Sequence, residues 1–259
     1  MCSAVTLSPE HYRLDAIWPA PPGVVAFTTL RASQCAQVGH SLAPFDRFNL
    51  GAACGDTSEA VQANLQQLIA LAGLPNPPCW LRQTHGTTVH RFDRSTSDVP
   101  EADASVTGAD NLVLAILTAD CLPVLLAARD GSEVGAAHAG WRGLCSGVLE
   151  STVAAMKTSP SQLLAWLGPA AGPDHYEVGT EVHDAFLAVD PQAELAFVPT
   201  RPGHWLCNLF LLARQRLAKV GISAVFGGDH CTIQSAARWF SHRRDGRSGR
   251  MASLIYRQR

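Results

Sequence analysis

TADCLPVLLAARDGSEVGAAHAGWRG, residues 118–143, is an apolar, glycine-rich stretch with the pattern of buried sheet. Leu122–Ala128 is a continuous apolar run of strand length, typical of a strand buried on both faces, and Glu133–His138 is a second, shorter strand candidate. Asp120, Cys121 and the histidine that ends the second run interrupt this pattern. Because a core strand gains nothing from an acid, a thiol or an imidazole, these groups are either satisfied inside the fold or held there for a function.

Strand and helix patterns continue on both sides of this stretch. Asn111–Leu117 is another continuous apolar run of strand length, and Cys79–Val89 looks extended, with QTHG marking a turn near its end. After Gly140 the apolar positions change to the spacing of a helix, at Leu144, Val148, Leu149, Val153 and Met156.

A helix is also predicted after Asp56, where Thr57 or Ser58 supplies the N-cap. Its apolar positions are spaced for one helical face, and Gly73 with Pro75 stops it.

The C-terminal half predicts two more helices, Thr180–Val189 and Asn208–Val220, the second ended by Gly221. The tail WFSHRRDGRSGRMASLIY predicts a β-hairpin that turns at Asp245-Gly246. Strands and helices are therefore mixed without the regular alternation of a doubly wound sheet. We expect a single α+β domain over residues 1–259, because no repeat, charge block or low-complexity linker divides the chain.

Composition excludes several classes of protein. The 259 residues are 47% hydrophobic and 16% charged, and the net charge of -2 gives no general attraction to nucleic acid or membranes. The apolar runs are too short to span a bilayer, and the N-terminus lacks the pattern of a secretory signal. None of the eight cysteines forms a CxxC pair, so we expect a cytoplasmic protein whose thiols are mostly buried hydrophobes. GxGxxG and GxxxxGK[ST] phosphate-binding loops are absent.

Three residues form a candidate metal site: His85, Cys121 and His138. Each ends or follows a predicted strand beside a glycine or a turn, in QTHG, TADC and AHAG. Strand ends that meet at one rim of a sheet would bring these side chains together. Two imidazoles and a thiolate suit tetrahedral zinc, with the fourth position left for water or substrate. Their spacings match no short zinc-binding pattern, and simple packing of the cysteine is the plain alternative.

Other chemistry is open to the same residues. Cys121 and His138 could act as a nucleophile and its base in a metal-free hydrolase of amide or peptide bonds. The three residues could also hold copper. A multicopper oxidase, however, needs many imidazoles, typically in His-x-His pairs, and the ten histidines contain none. A zinc site of the cytidine deaminase kind would need PCxxC, which is missing.

Several arginine and amide side chains suggest an anion or substrate site. Gly140-Trp141-Arg142-Gly143 opens a helix, whose free N–H groups and the Arg142 guanidinium could bind an oxyanion or phosphate. The C-terminal segment offers five more arginines for an anionic ligand: Arg238, Arg243, Arg244, Arg247 and Arg250. Asn49, in FNLG, either binds substrate or caps a turn. Asp120 either supports a metal ligand or satisfies backbone donors.

Eight strings in order carry a family resemblance from about residue 24 to the end of the chain. They are FNLGAACGD, WLRQTHGTTV, ADASVT, TADCLPVLL, GAAHAGWRGLCSGVLE, AWLGPAAGPDHYEVG, FGGDHCT and FSHRRDGRSGRMASLI. Together they resemble the YfiH-type laccase-domain family, which is also described as polyphenol oxidase-like or as purine nucleoside phosphorylase. The resemblance implies one CNF1/YfiH-like domain in which mixed β-sheets are sandwiched by helices.

The resemblance also implies a site and an activity. Zinc would be held by the matching residues His85, Cys121 and His138, with copper as the alternative metal. The implied reaction is phosphorolysis of adenosine, inosine, guanosine and methylthioadenosine, with adenosine deamination as a further activity and copper-dependent phenol oxidation as an alternative. We expect catalysis from the three ligands and Arg142, and substrate binding by Asn49, Gln83, Arg142, Arg243 and Arg244. A non-enzymatic metal-binding or interaction domain is a third interpretation.

The chain departs from the family near its start. The family has FxTRxGGVS, whereas this chain reads FTTLRASQCAQVGHSLAPF. Leu30 takes the usual arginine position, Arg31 follows one place later, and the paired glycines are gone. If the usual arginine contacts substrate, either Arg31 substitutes for it or the specificity differs.

Overall fold

The computed structural model describes residues 8–32 and 35–258, and within these ranges three β-sheets and six α-helices form the protein. Residues 1–7, the first part of the N-terminus in which no secretory signal is expected, lie outside the described residues, as do 33–34 and 259. In the described part, no helix has the length and apolar character needed to cross a membrane.

The helices and strands follow in chain order. The helices are α1 (Ser58–Ala72), α2 (Trp141–Ser146), α3 (Val148–Ala155), α4 (Thr180–Val189), α5 (Leu209–Lys219) and α6 (His242–Asp245). The strands are β1 (Arg13–Asp15), β2 (Val24–Thr29), β3 (Val89–Arg91), β4 (Ala104–Thr107), β5 (Leu114–Thr118), β6 (Leu122–Ala128), β7 (Val134–Ala139), β8 (Leu163–Leu167), β9 (Glu177–Gly179), β10 (Phe197–Arg201), β11 (His204–Cys207), β12 (Ala224–Gly227) and β13 (Met251–Arg257).

The largest sheet is six-stranded and mixed, in the order β12-β8-β6-β7-β4-β3. Its centre is the antiparallel pair β6 and β7, both of which lie within residues 118–143. A four-stranded antiparallel sheet has the order β1-β2-β13-β5, and a three-stranded antiparallel sheet has the order β10-β11-β9.

Apolar side chains arrange the two larger sheets and the helices in layers. On β5, Leu114 and Ile116 enter a core shared with Leu125 of β6, while Ala115 between them faces α1. This alternation follows from the two-residue period of a strand. The opposite face of the six-stranded sheet packs against helices, with Leu144 of α2 and Val148 of α3 in the same buried cluster. The expected α+β domain, with sheets sandwiched by helices, is confirmed.

Local signals located several elements correctly. The predicted strand Leu122–Ala128 and the predicted helix Thr180–Val189 are found with those bounds. Thr57 caps α1 by accepting a hydrogen bond from the Ala60 N–H at 3.3 Å, and Gly73 ends the helix with φ 57°. Asn208, predicted as the first residue of a helix, is instead the N-cap of α5.

Other boundaries shift by a few residues. The predicted strand Asn111–Leu117 is β5, Leu114–Thr118, and Glu133–His138 is β7, Val134–Ala139. In the predicted extended segment Cys79–Val89, Cys79 and Arg82 form isolated bridges, and Val89 is the first residue of β3. The hydrogen bonds of this segment go to single residues of neighbouring loops and strands, so no continuous ladder forms until β3.

Two predictions were wrong. The helix predicted after Gly140 is two helices, because Gly147 adopts φ 100° and ends α2 before α3 begins. The predicted C-terminal hairpin is absent: Asp245 ends the short helix α6, and β13 inserts between β2 and β5. Strand β13 is buried along six of its seven residues, so its place is the middle of a sheet and not a surface hairpin.

Candidate metal centre

Two of the candidate ligands lie at one end of the central strand pair. Cys121 directly precedes β6, and His138 lies in β7, where it pairs with Pro123. The chain enters β6 through Asp120, which has φ 98°. The Asp120 carboxylate accepts hydrogen bonds from the Arg243 N–H and the Thr232 hydroxyl, each at 2.6 Å. Asp120 therefore satisfies donors of the C-terminal segment, the second of its two expected roles.

The third candidate ligand comes from the QTHG turn. His85 has φ 62°, and its backbone N–H donates to Oδ1 of Asp103 at 2.9 Å. The N–H groups of Thr84 and Gly86 donate to Oδ2 of the same carboxylate at 3.0 and 2.8 Å. The turn is thus wrapped around one buried acid, which sets the place of the His85 side chain.

The three side chains converge. One ligand atom from each of His85, Cys121 and His138 lies within 4.8 Å of the others, and they are the one such group found among residues 8–32 and 35–258. Sγ of Cys121 is 3.9 Å from Nε2 of His85, and the two imidazole rings are 4.8 Å apart at 72°. His138 is buried, Cys121 is half-buried and His85 is exposed, so the group opens to solvent on one side.

Gly140 allows this close approach. A β-carbon added there would lie 2.9 Å from Sγ of Cys121 and 3.2 Å from Cδ2 of His85. Both distances are shorter than ordinary van der Waals contacts. Glycine is therefore required beside the two ligands for steric reasons, since its backbone, at φ -62°, is open to any residue.

Asp103 is the functional residue that the sequence analysis missed. It is fully buried directly before β4, and its Oδ1 lies 2.8 Å from Nδ1 of His138. This contact leaves Nε2 of His138 as the nitrogen for a metal, the arrangement in which a carboxylate orients a ligating imidazole. The available signal was an acid beside a buried strand in ADASVT, the same kind of interruption that marked Asp120.

Electrostatics favour ionised groups in the centre. Burial raises the pKa of Asp103, but hydrogen bonds from His138 and the QTHG turn outweigh it and hold that pKa at about 2. Burial likewise raises the pKa of the Cys121 thiol, and the charge and hydrogen bonds of His138 and His85 reverse the shift and lower it. Burial lowers the pKa of His138, but Cys121 and Asp103 raise it overall. Both shifts favour a thiolate beside an imidazolium.

The residues fit a bound metal ion. Two imidazole nitrogens and a thiolate are borderline and soft donors, a set that zinc accepts and that copper also accepts. The cradle is preformed, because Asp103 orients one imidazole and positions the turn that carries the other. Three protein donors leave room for a further ligand on the open side.

The centre lies at the wall of a cavity of about 450 Å³, within the range of about 300–1,000 Å³ typical of small-molecule sites. Besides the three candidate ligands, the lining has apolar and polar members. The apolar ones include Leu81, Leu117 and Ala119, and the polar ones include Arg82, Gln83, His242 and Arg250.

The two predicted amide residues serve the backbone. Gln83 lines the cavity, but both ends of its side-chain amide are bonded to the backbone of Leu117, at 2.9 Å each. Asn49 is fully buried and does not line the cavity; its Oδ1 accepts from the N–H groups of Gly51 and Arg250 at 2.9 and 2.8 Å.

The three predicted arginines do not line this cavity. Arg142 is exposed and stacks on the Trp141 ring at 4.4 Å. Arg243 lies over the Tyr176 ring at 4.9 Å and lines a second cavity of about 350 Å³. Arg244 donates to backbone carbonyls and to Asp245.

Arg31, the residue nearest the family's usual arginine, is also held by the protein. Its Nε donates to the Asp46 carbonyl at 2.6 Å, and its Nη2 is 3.0 Å from the Asp46 carboxylate. The guanidinium lies over the Phe240 ring at 5.2 Å. Arg31 therefore joins the N-terminal loop to the C-terminal segment.

Comparison with known proteins finds a matching family model and similar sequences. A family model described as multi-copper polyphenol oxidoreductase laccase matches residues 30–258. A Xylella fastidiosa (strain 9a5c) protein named purine nucleoside phosphorylase is 54% identical over 253 residues, covering 94% of this chain and 96% of the relative. An Escherichia coli (strain K12) protein named purine nucleoside phosphorylase YfiH is 48% identical, covering 92% of this chain and 96% of the relative.

A solved structure shares the whole fold. The crystal structure of Neisseria meningitidis protein NMB0706 superposes with a TM-score of 0.90 at 44% sequence identity. The superposition covers 96% of this chain and 100% of the other. The sheets and helices that carry the three ligands are therefore those of a known architecture.

Proposed function

The chain belongs to the YfiH-type laccase-domain family, and on that premise we propose that it is a zinc-dependent purine nucleoside phosphorylase. The observation that carries the proposal is the convergence of His85, Cys121 and His138 on one cavity of about 450 Å³. A cavity of that size accommodates a nucleoside-sized ligand. The names of the relatives supply the substrate class, purine nucleosides with phosphate.

The lining suits a nucleoside in two respects. Leu81, Leu117 and Ala119 offer apolar surface for the flat purine base. The ligand cluster on the same wall offers polar groups for the ribose and the attacking nucleophile. We include adenosine, inosine, guanosine and methylthioadenosine as substrates, because each presents the same glycosidic bond to the cluster.

The residues of this chain have distinct roles in the reaction. Asp103 holds the His138 ring and the QTHG turn, so the donor atoms need no reorganisation when substrate binds. Zinc bound by His85, Cys121 and His138 would supply Lewis-acid stabilisation of negative charge and a template for orientation. Phosphorolysis breaks the bond between the ribose C1′ and purine N9 and forms a bond from C1′ to a phosphate oxygen.

An assay of purified protein tests the proposal. Metal content is measured first, and zinc-loaded protein is then incubated with inosine and phosphate. We expect ribose 1-phosphate and hypoxanthine in equal amounts. With adenosine, a parallel measurement of inosine separates deamination from phosphorolysis. Absence of ribose 1-phosphate with every purine nucleoside, at full zinc occupancy, would contradict the proposal.

A matched pair of variants links activity to the centre. His85→Gln removes the exposed ligand and is expected to abolish both stoichiometric zinc binding and turnover, because two donors do not hold the ion well. His90→Gln is the control, since the His90 ring makes an edge-to-face contact with Phe92, with ring centroids 4.4 Å apart, and does not line the cavity. Equal turnover by the two variants would argue against a metal-dependent reaction.

One observation favours a second candidate function, a metal-free hydrolase of amide or peptide bonds. Asp103 contacts His138, and His138 lies beside Cys121, in the arrangement of the acid, base and nucleophile of a catalytic triad. The imidazoles beside Cys121 also lower its pKa. Chelation separates the two candidates. Amide hydrolysis that survives chelation and stops on alkylation of Cys121 would identify the hydrolase.

Copper-dependent phenol oxidation, the other alternative, has less support. A multicopper oxidase needs several metal clusters, and in the described ranges His85, Cys121 and His138 are the one group of His, Cys, Asp or Glu placed to bind an ion. Oxidation of a phenol by copper-loaded protein, compared with zinc-loaded protein, tests this alternative directly.

A further inference from the structure

The five arginines of the C-terminal segment have different surroundings. Arg238 and Arg247 lie over aromatic rings, those of Trp239 and Phe45. Arg243 and Arg244 donate to backbone carbonyls and do not line the cavity of the metal centre. Arg250 is the member of the five that lines the cavity of the metal centre.

Arg250 gives this cavity an uncompensated positive charge. No aspartate or glutamate is among the described residues that line the cavity. The other lining arginine, Arg82, is paired with Glu101, whereas no described carboxylate pairs with Arg250. Nη1 of Arg250 donates to the carbonyls of Ser248 and Gly249 at 2.7 and 3.0 Å. Within the described residues, Nε and Nη2 make no hydrogen bond, so donors remain for a ligand.

The backbone fixes where the Arg250 side chain begins. Its N–H donates to Oδ1 of the fully buried Asn49 at 2.8 Å, and its carbonyl accepts from the Leu50 N–H at 3.1 Å. The side-chain stem then crosses Gly51, where an added β-carbon would lie 2.6 Å from Cγ of Arg250. Asn49 and Gly51, both in FNLGAACGD, therefore position Arg250, and Gly51 also lines the cavity.

Among the described residues, the groups next to Arg250 do not neutralise its charge. Asp56 is the acid that contacts Asn49. It accepts from the Asn49 amide at 2.9 Å and from the Thr57 N–H, and it does not line the cavity. His242 lines the same cavity and adds a second nitrogen donor. An anion entering the cavity would thus meet a guanidinium and an imidazole, with no carboxylate on the wall.

We propose that Arg250 binds the inorganic phosphate co-substrate, an inference that rests on the phosphorylase function proposed above. A guanidinium presents paired N–H donors that match two oxygens of one phosphate. A third phosphate oxygen forms the new bond to C1′ while the C1′–N9 bond breaks. The electron pair of the broken bond stays on the purine, which takes up the proton of hydrogen phosphate. The step therefore needs no oxidant or reductant.

Steady-state kinetics of zinc-loaded variants test the proposal. Arg250→Gln is expected to raise the KM for phosphate at least about tenfold, because a charge-assisted contact is lost, while the KM for inosine stays within about twofold. Arg250→Lys keeps the charge without the paired donors and should fall between wild type and Arg250→Gln. Arg247→Gln is the matched control from the same segment, with an expected phosphate KM equal to that of wild type.

The outcomes separate this inference from the proposed function. An unchanged phosphate KM in a folded, zinc-loaded Arg250→Gln protein overturns the role of Arg250 and leaves the phosphorylase standing. If the wild type shows no phosphorolysis, phosphate binding is measured by calorimetry on both zinc-loaded proteins. Binding by the wild type alone then supports the anion site without the activity. No difference between the two proteins overturns it.

Discussion

Oδ1 of Asp103 lies 2.8 Å from Nδ1 of His138 and also accepts the backbone N–H of His85 at 2.9 Å. One carboxylate oxygen therefore positions two of the three candidate metal ligands, which come from a turn and a strand distant in the chain.

Replacing this carboxylate is expected to weaken metal binding. Asp103→Asn keeps the size of the side chain but loses the charge and one acceptor, so zinc affinity should fall by about 10- to 100-fold, as for other groups that orient ligands. Competition with a chromophoric chelator measures the change. Ser105→Ala, in the strand β4 that follows Asp103, is the control, because its buried hydroxyl has no described hydrogen-bond partner. An affinity loss as large in Ser105→Ala would show that the strand, not the carboxylate, is responsible.

Asp103 also predicts an acid-dependent loss of stability. Its folded pKa of about 2 is below the ordinary value of 3.8, so the ionised form stabilises the folded protein above about pH 4. This contribution is lost as the pH falls through 2. In metal-free protein, the difference in unfolding free energy between wild type and Asp103→Asn should shrink over that interval. Denaturant titrations at pH 6, 4 and 2.5 measure it, and a difference that is constant with pH would contradict the assigned shift.

Gly140→Ala should damage the centre without unfolding the protein. The added methyl group would lie 2.9 Å from Sγ of Cys121, so the thiol must move from its place beside His85. We expect weaker zinc binding and lower turnover with nearly unchanged circular dichroism. Gly108→Ala is the control, since its β-carbon would meet only the Ser132 carbonyl, at 3.4 Å. Normal zinc affinity in Gly140→Ala would mean that the cluster tolerates a wider spacing.

Leu125→Ala tests the core between the two large sheets. Leu125 is fully buried in β6, among side chains of both sheets. Truncation should lower the free energy of unfolding by about 2–5 kcal/mol, through lost burial and the cavity left behind. Leu42→Ala, at a leucine that is 80% exposed, should change it by less than about 0.5 kcal/mol. Urea unfolding of the zinc-loaded proteins measures both.

Short-range signals succeeded where a few neighbouring residues decide the structure. The Thr57 cap and the Gly73 stop bound α1 because both act on backbone groups within one helical turn. The apolar run Leu122–Ala128 identified a strand buried on both faces. The polar residues at the ends of buried runs, in QTHG, TADC and AHAG, suggested a candidate ligand set that the family resemblance then supported, and the structure brings those three side chains together.

Pairing between segments distant in the chain explains the predictions that were wrong and the residues that were not predicted. The tail contains turn residues at Asp245-Gly246, yet β13 finds its partners in β2 and β5, far earlier in the chain. No local pattern specifies which strand inserts between two others. Asp103 likewise matters through its contact with His138, a residue of β7. The C-terminal arginines look alike in the sequence and differ only in their long-range contacts.

The sequence by itself therefore determined the helices with clear caps and the buried central strand, because both depend on residue type and local spacing, and its family resemblance gave the candidate metal donors. Only the tertiary structure decided that Asp103 orients His138, that Asn49 positions Arg250, and that Arg250 reaches the cavity while Arg243 and Arg244 do not. The physical reason is that these contacts join segments distant in the chain, whose meeting is set by sheet register and core packing.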